Sequence, residues 1–358
     1  MKVHFITENE YPNISASANR LSLLIRALKH ENTEVDVISI GYFKKMPFKI
    51  DLFISFILKF IATFTIIFKV NKTDIVFFYG AFRMPWIAFL LKLKGVKMIT
   101  ERTEYPHYLI LQSKNFLSVI KSKLAILSMS FSDSFITCSK NLANFYSEKT
   151  KIKNFLILPL ILDDDTIDGY ENGFSKEITY CGYMGNNKDG VFDLITSFKK
   201  VNNLFPEWKL KLIGHAEEEV MNDLKEMVYE NNLSNNVDFT GKLPHVKVLK
   251  LLRKSSILAL ARPDNLQSQG GFPSKLGEYL STRLPVVVTR VGEIPNYIED
   301  GINGFLANPN DPNDFAEKLI FVINNYEQAK KIGISGKKIA ENFDYKIQGK
   351  RIFDFIKK

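Results

Sequence analysis

At 358 residues the chain is long enough for two ordinary domains, each able to bury its own core. Its 46% hydrophobic and 24% charged residues exclude a disordered protein. The net charge of +9 calls for an anionic partner; with no nucleic-acid-binding motif and no aromatics interleaved with basic residues, nucleic acid is set aside in favour of membrane surface and phosphate-bearing ligands.

The chain opens on "MKVHFITENE", which reads as a first β-strand, charge arriving too soon for a signal peptide. Further strands are expected at Val35–Ile40, Asp74–Tyr79, Lys97–Glu101, Ser134–Cys138 and Phe155–Leu158, after the first at Val3–Thr7. A second set follows at Ile178–Gly182, Lys209–Gly214, Val237–Thr240, Ile257–Ala261 and Pro285–Thr289. Helical patterns lie between them at Ala18–Lys29, Leu117–Phe131, Val191–Asn203, Glu217–Asn231 and Asp314–Asn325. Continuous apolar strands alternating with helices imply parallel sheets covered on both faces. The fold class is therefore α/β, with two Rossmann-like, doubly wound parallel-sheet domains facing a cleft.

The acidic, Gly-containing stretch "LDDDTIDGYENGFSKE" suits an interdomain linker. The expected division is 1–162, a linker at 163–177, 178–340, and a last helical segment at 341–358. Its "DDD", Asp163 to Asp165, reads as solvated linker carboxylates rather than a metal motif, because it does not follow a strand of a nucleotide-binding domain. Cys138 and Cys181 stand far apart in no CxxC pattern, which argues against a disulfide scaffold or zinc site and fits a reducing compartment. The five histidines have no metal-ligand spacing. No metal is expected.

Two stretches carry more specific information. "FKIDLFISFILKFIATFTIIFKV", Phe48 to Val70, is rich in Phe and Ile, with Lys49, Lys59 and Lys69 spaced along it. Asp51 and Lys59 interrupt it, so a transmembrane helix, which needs about 20 apolar residues, is disfavoured. A mostly buried helix and a helix lying at a membrane surface stay open as readings. The other stretch is "QSQGGFPSKLGEYLSTRLPVVVT", Gln267 to Thr289. No GxxxxGK[ST] and no GxGxxG after the first strand is present, so the usual phosphate loops are missing. Here the Gly270-Gly271 pair is expected to be a flexible loop, followed by Phe272 and a helix opening at Pro273. Ser274 and the free N–H groups of that first turn would face an approaching diphosphate. Lys275 would add a full positive charge, and the Glu278 carboxylate would accept hydrogen bonds from two neighbouring hydroxyls, as on a ribose.

The segment "GFPSKLGEYLSTRLPVVVTRVGEIPNYIEDGINGFLANPND" resembles the characteristic region of family 4 glycosyltransferases of the GT-B fold, particularly bacterial polysaccharide enzymes. "ITYCGYMGNNKDGVFDLITSFKKV" is similar to the opening of that family's second domain, with its Gly-rich turn and phosphate-binding lysine. "DSFITCSKNL" and "FLILPLILD" resemble the end of its first domain. "ENFDYKIQGKRIFDFIKK" resembles its last helices, which in this fold cross back onto the first domain.

The resemblance implies a retaining, metal-independent transfer from a nucleotide-sugar donor, with uridine the expected base, to a glycan or lipid-linked acceptor. It implies that Glu278 reads the ribose and that Lys188 neutralises the leaving diphosphate. Gly182 falls at the family's first turn, where Tyr183 replaces an arginine; Arg262, in "LALARPDN", is the candidate to supply that charge. Gly270 stands where a sugar-contacting glutamate belongs, leaving Gln267, Ser268 or Gln269 for that contact. In the first domain, "NEYPNISASANR" carries Ser15, Ala16, Ser17 and Ala18 in place of the family's glycine-rich loop. "TERTEYPHY" offers Glu101, Arg102, Glu104 and His107, with Glu104 or His107 orienting the acceptor hydroxyl. A cytoplasmic protein on the inner face of the cell membrane is the expectation. The rivals are a non-catalytic, nucleotide-binding scaffold subunit and a sugar-nucleotide epimerase; the sparse histidines and the missing carboxylate at Gly270 weigh against the epimerase.

Overall fold

The computed structural model describes residues 2–12, 15–40, 60–110, 115–163, 175–185 and 188–358. The chain divides into two compact units, Met1–Ile161 with Tyr345–Lys358, and Leu162–Asp344. Residues 48–59 of the Phe/Ile-rich segment and 164–174 of the acidic stretch lie outside the described residues.

In the first unit, β1 (Lys2–Thr7), β2 (Glu34–Ser39), β3 (Ile75–Tyr79), β4 (Lys97–Arg102), β5 (Ser134–Thr137) and β6 (Phe155–Ile157) form one sheet. Its order is β2-β1-β3-β4-β5-β6, with every pair parallel. The sequence explains the placement. β3, "IVFFY", is buried at every position, as a strand covered on both faces must be, whereas "EVDVIS" of β2 is half-buried at the edge. Helix α1 (Ala16–His30) is opened by Ser15, whose hydroxyl accepts from the Ala18 N–H at 3.1 Å. It buries Leu21, Leu24 and Leu28 against Phe5 and Phe77. On the opposite face, helix α2 (residues 60–69) and α3 (Pro85–Leu93) bury Ile66, Ile87 and Leu91 with Phe78 and Phe82. The short α4 (His107–Ile110), α5 (Phe116–Ser130) and α6 (Lys140–Thr150) complete the described helices within Met1–Ile161.

The second unit begins with β7 (Glu177–Tyr183), α7 (Val191–Leu204), β8 (Lys209–His215), α8 (Glu218–Glu230) and β9 (Val237–Gly241). It continues with α9 (His245–Lys254), β10 (Ile257–Leu260), α10 (Leu266–Gly270), α11 (Ser274–Ser281), β11 (Val286–Thr289) and β12 (Phe305–Ala307). Helices α12 (Pro312–Asn324) and α13 (Tyr326–Glu341) close it. Its sheet, also parallel throughout, has the order β12-β11-β10-β7-β8-β9. The expected strands and helices are present with ends shifted by one or two residues, the usual scatter of element boundaries. β12 was not expected. Its three residues are too few to carry a pattern of their own, and pairing with β11 is what extends them.

The last helix, α14 (Tyr345–Lys357), packs on α1 of the first unit. Gly349 makes the close approach possible: a Cβ there would stand 2.7 Å from the Ala27 carbonyl oxygen. Arg26 lies over the Tyr345 ring, 4.2 Å from its centre, in a cation–π contact that fixes the same pair of helices.

Strand order decides where a ligand can sit. In the second sheet the chain starts at β7, lays down β8 and β9 on one side, then crosses to β10, β11 and β12 on the other. The connections after β7 and β10 therefore leave in opposite directions, and a crevice opens beyond their carboxyl ends. The first sheet has the same kind of switch between β1 and β3.

Candidate active site

The crevice beyond β7 and β10 collects most of the residues singled out in the second half of the sequence. Helix α11 is fastened there by two contacts. The Cys181 N–H on β7 donates to the Tyr279 hydroxyl at 2.7 Å, and Lys275 Nζ is bonded to Asp189 Oδ2. Asp189 is buried, and its Oδ2 also accepts from the Tyr180 hydroxyl at 2.8 Å. The Lys275 ammonium lies 5.0 Å from the centre of the Tyr180 ring. Gly182 is glycine for this reason: a Cβ there would overlap both Lys275 Nζ and the Tyr180 hydroxyl. Gly190, at φ +65°, turns the chain into α7 with its Cα against the Ala261 carbonyl, where no side chain fits. That tight turn holds Asp189 in place.

Burial pushes the Asp189 carboxyl up, but Lys275 and then Arg262 outweigh it and hold the group below the usual carboxylate range. Arg262 is itself buried, at 2% exposure, just past the end of β10, and its guanidinium runs beside Gly271. Burial likewise lifts the Tyr180 and Tyr279 hydroxyls well above their ordinary range and the Cys181 thiol to about 12. None of these three ionises near neutrality. The site is thus a fixed cluster of Lys275, Asp189 and Arg262, net positive by one charge, with Lys188 directly before Asp189 in the chain. Sequence reasoning missed Asp189. Its signal, an Asp-Gly pair ahead of a helix after a glycine-rich turn, was visible, but its partner lies 86 positions away.

Four expectations are corrected here. Lys275 is not a bare cation aimed at a ligand, because its ammonium already pairs with Asp189. The Gly270-Gly271 pair is not a flexible loop: Gly270 closes α10, and Gly271 is extended at φ −93° with its N–H on the Gln267 carbonyl at 2.9 Å. Asn265 explains this, its side chain capping α10 through the Ser268 N–H. Pro273 does not open the helix as its first residue but stands before it, at φ −75° and ψ 113°, and Ser274 is the first helical residue. Lastly, Glu101 and Arg102, offered by the sequence for the acceptor side, are turned into internal contacts instead. Glu101 is buried against Arg20 at 2.9 Å, and the buried Arg102 guanidinium donates to the Tyr146 hydroxyl at 3.0 Å.

Other residues fall as follows. Phe272 packs its ring against Tyr297 and Phe343, at 5.4 and 6.0 Å between centres, so it anchors the turn ahead of α11. The Tyr183 hydroxyl is bonded to Glu217. Ser268 is buried, and its hydroxyl has no hydrogen-bond partner among the described residues, while Gln269 donates to Asp264 at 2.6 Å. Glu104 and His107 belong to the first unit, where both are exposed after β4; the Glu104 carbonyl accepts from the Tyr146 hydroxyl at 2.7 Å. At the switch point of the first sheet a cavity of about 380 Å³ is lined by Thr7, Glu8, Ser15, Ser17, Tyr79 and Arg83, among others. It lies at the start of α1, over the stretch expected to admit an acceptor.

Glu278 shares one face of α11 with Lys275, three residues on, and His245 Nε2 from the start of α9 lies 3.3 Å from its Oε1. The hydrogen bond to Glu278 raises the His245 pKa, against the opposing effect of burial. A raised pKa means that the pair adds stability below the unfolded value near about 6.5, and that this is lost as pH rises through the higher folded value. The Glu278→Gln variant is expected to move the His245 titration midpoint back down, read from its imidazole proton resonances. Identical midpoints in the two proteins would dismiss the contact.

Two doubly wound parallel sheets, with a basic cluster and a helix start at the second switch point, define the architecture of a GT-B glycosyltransferase. The model of the family "Glycosyl transferases group 1" matches residues 171–339, most of the second unit. An uncharacterized glycosyltransferase of Methanocaldococcus jannaschii is 29% identical over 286 residues, spanning 76% of this chain and 72% of that one. The fold is shared with Anabaena HepE, solved in complex with UDP, at a TM-score of 0.76 and 15% identity over the whole of both chains. It is shared equally with the sucrose-phosphate synthase of Thermosynechococcus elongatus, at a TM-score of 0.76 and 12% identity over 99% of this chain and 98% of that one.

Proposed function

We propose that the enzyme moves a sugar from a uridine-diphosphate donor to a glycan or lipid-linked acceptor in the synthesis of a cell-surface polysaccharide. The observation that carries this reading is the meeting, beyond β7 and β10, of the α11 start, the Lys275–Asp189–Arg262 cluster and the Glu278 carboxylate. Cleaving the bond from the anomeric carbon to the diphosphate leaves negative charge on the departing oxygen. Lys188, Arg262 and the first N–H groups of α11 stabilise that charge as it grows, and the reading requires no divalent metal. Gly270, Gly271 and Gly182 keep side chains away from the diphosphate, and Glu278 accepts from the ribose hydroxyls. The reaction retains configuration at the anomeric carbon. HepE, solved with UDP and with UDP-glucose, and WaaB, a lipopolysaccharide galactosyltransferase, are relatives in fold that favour this donor and acceptor class.

The second unit, in this reading, takes the donor, and Ser268 is the group left to meet its sugar. The first unit takes the acceptor in the cavity at the start of α1, with Glu104 or His107 orienting the hydroxyl. The enzyme works in the cytoplasm, at the inner face of the cell membrane. Gly270 and Tyr183, standing in place of a glutamate and an arginine, favour a non-catalytic nucleotide-binding subunit as the second reading.

Calorimetric titration with UDP, GDP and ADP, and with the matching nucleotide sugars, tests the donor. UDP is expected to bind selectively, and Glu278→Ala to weaken it about 10- to 100-fold, the loss of charged hydrogen bonds worth roughly 1.5–3 kcal/mol. If no nucleotide binds, the transferase reading fails. Nucleotide binding without turnover on any acceptor would instead support the scaffold.

A further inference from the structure

We propose that α2, α3 and α5 of the first unit together form a docking surface for an anionic lipid bilayer, independent of the donor site. Each of these helices is apolar on the side that faces the core and also carries large apolar side chains that are exposed. Along α2, Phe60, Phe64 and Phe68 form one exposed row, with ring centres 4.8 and 6.3 Å apart, while Ile66 is fully buried behind them. Phe68 is 79% exposed. On α3, Trp86, Phe89 and Leu93 are exposed while Ile87, Ala88 and Leu91 are buried. On α5, Phe116 and Leu117 are 74% and 62% exposed.

The three helices lie side by side. Trp86 Nε1 donates to Thr63 Oγ1 at 3.2 Å, and Lys94 donates to the Ile67 and Val70 carbonyls at 2.6 and 2.5 Å, tying α3 and the turn after it to α2. Helix α3 packs on α5, and the Phe89 ring lies 5.7 Å from that of Phe131 at the end of α5. A helix of a soluble domain normally turns charge outward, and a contiguous exposed apolar face marks an interaction surface.

Charge selects the occupant. The three helices carry Lys69, Lys92, Lys121 and Lys123 and not one aspartate or glutamate. Lys69 and Lys92 pair with Asp36 and Asp133 on neighbouring segments, whereas Lys121 and Lys123 are exposed on α5 with no ion-pair partner among the described residues. A second copy of this chain would set lysines against lysines. An anionic headgroup layer would meet them with opposite charge while its acyl boundary takes the phenyl row and the Trp86 indole. No described helix is long and apolar enough to cross a membrane, so the contact is one of lying on the surface. Of the segment singled out in the sequence, Phe48–Val70, the described residues supply α2; the rest of the face comes from helices that no local pattern joins to it.

The full chain is mixed with vesicles of phosphatidylcholine alone and of phosphatidylcholine with phosphatidylglycerol, and binding is followed by flotation and tryptophan emission. Trp86 is expected to shift to the blue on the anionic vesicles only, and Trp208, 1% exposed in the other unit, to stay silent, which Trp86→Phe verifies. Binding should weaken with salt and fall at least about tenfold in Phe64→Glu/Phe68→Glu and in Lys121→Glu/Lys123→Glu. Both pairs are exposed, so thermal unfolding and UDP titration should match the parent, which separates this proposal from the donor site. Absence of binding to anionic vesicles, or equal binding by the variants, overturns it. A dimer in solution that Phe64→Glu/Phe68→Glu dissociates, with no vesicle binding by the parent, would assign the face to a second copy and overturn it as well.

Discussion

Asp189→Ala is expected to destabilise the second unit by about 3 kcal/mol, the lower end of the cost of stripping one partner from a buried ion pair. The lower end applies because the Lys275 side chain keeps 16% exposure and can partly rehydrate, whereas Asp189 keeps 3%. The Tyr180 hydroxyl loses its acceptor in the same substitution. Asp189→Asn leaves an acceptor for Tyr180 and should cost less. Because Lys275 and Arg262 hold the Asp189 carboxyl below its ordinary value, the stability it contributes is complete above the unfolded pKa, near about 4. It is lost only as pH falls through the lower folded value. The gap between parent and Asp189→Ala should therefore be flat across neutral pH and close only in strong acid. Urea unfolding followed by Trp208, buried in the second unit, reads that gap in a Trp86→Phe background. Combining Asp189→Ala with Lys275→Ala should recover part of the loss, since the orphaned ammonium is then gone. A parent-like midpoint for Asp189→Ala would mean that the pair does not hold α11 against β7.

Turnover in Lys188→Ala is expected to fall about 10²- to 10³-fold, the usual consequence of removing one group that stabilises charge in a transition state. Arg262→Ala should fall by a similar factor if this arginine stands in for the one that Tyr183 replaces. The two substitutions differ in what else they disturb. Lys188 is half-buried at a turn, so its variant should fold as the parent does. Arg262 is buried beside Asp189, so its truncation should also lower stability, and Arg262→Lys, which keeps the charge but not the fork of donors, separates the two effects. The measurement is kcat and donor KM with UDP-sugar at saturating acceptor. A drop confined to kcat identifies a contact made as the diphosphate leaves; a rise in KM alone identifies donor binding. Parent kinetics in Arg262→Ala would end its proposed role, leaving Lys188 and the α11 start to meet the charge.

Much of this could be read from local pattern. Strands such as "IVFFY" and "ILAL" announce themselves because a strand covered on both faces has only apolar positions, and helices such as α1 carry their own cap and stripe. The Gly-Phe-Pro-Ser-Lys run and Glu278 marked α11 for the same reason: residues that act together on a helix lie three or four apart in sequence. The three-residue β12 and the conformation of Gly271 had no such signal. Both depend on partners from elsewhere in the fold, the one on β11 and the other on the Asn265-capped turn.

By itself, then, the sequence determined the element types, their alternation, and the presence of a helix start beside a lysine and a glutamate, because these are properties of neighbours in the chain. Only the tertiary structure decided which strands flank that helix start, and so that it opens onto the switch point between β7 and β10. Only it decided that Lys275 answers to Asp189, 86 positions away, and that α3 lies beside both α2 and α5. Charge pairing and surface contiguity are set by distance in space. A parallel sheet brings together residues that its crossover connections keep far apart along the chain.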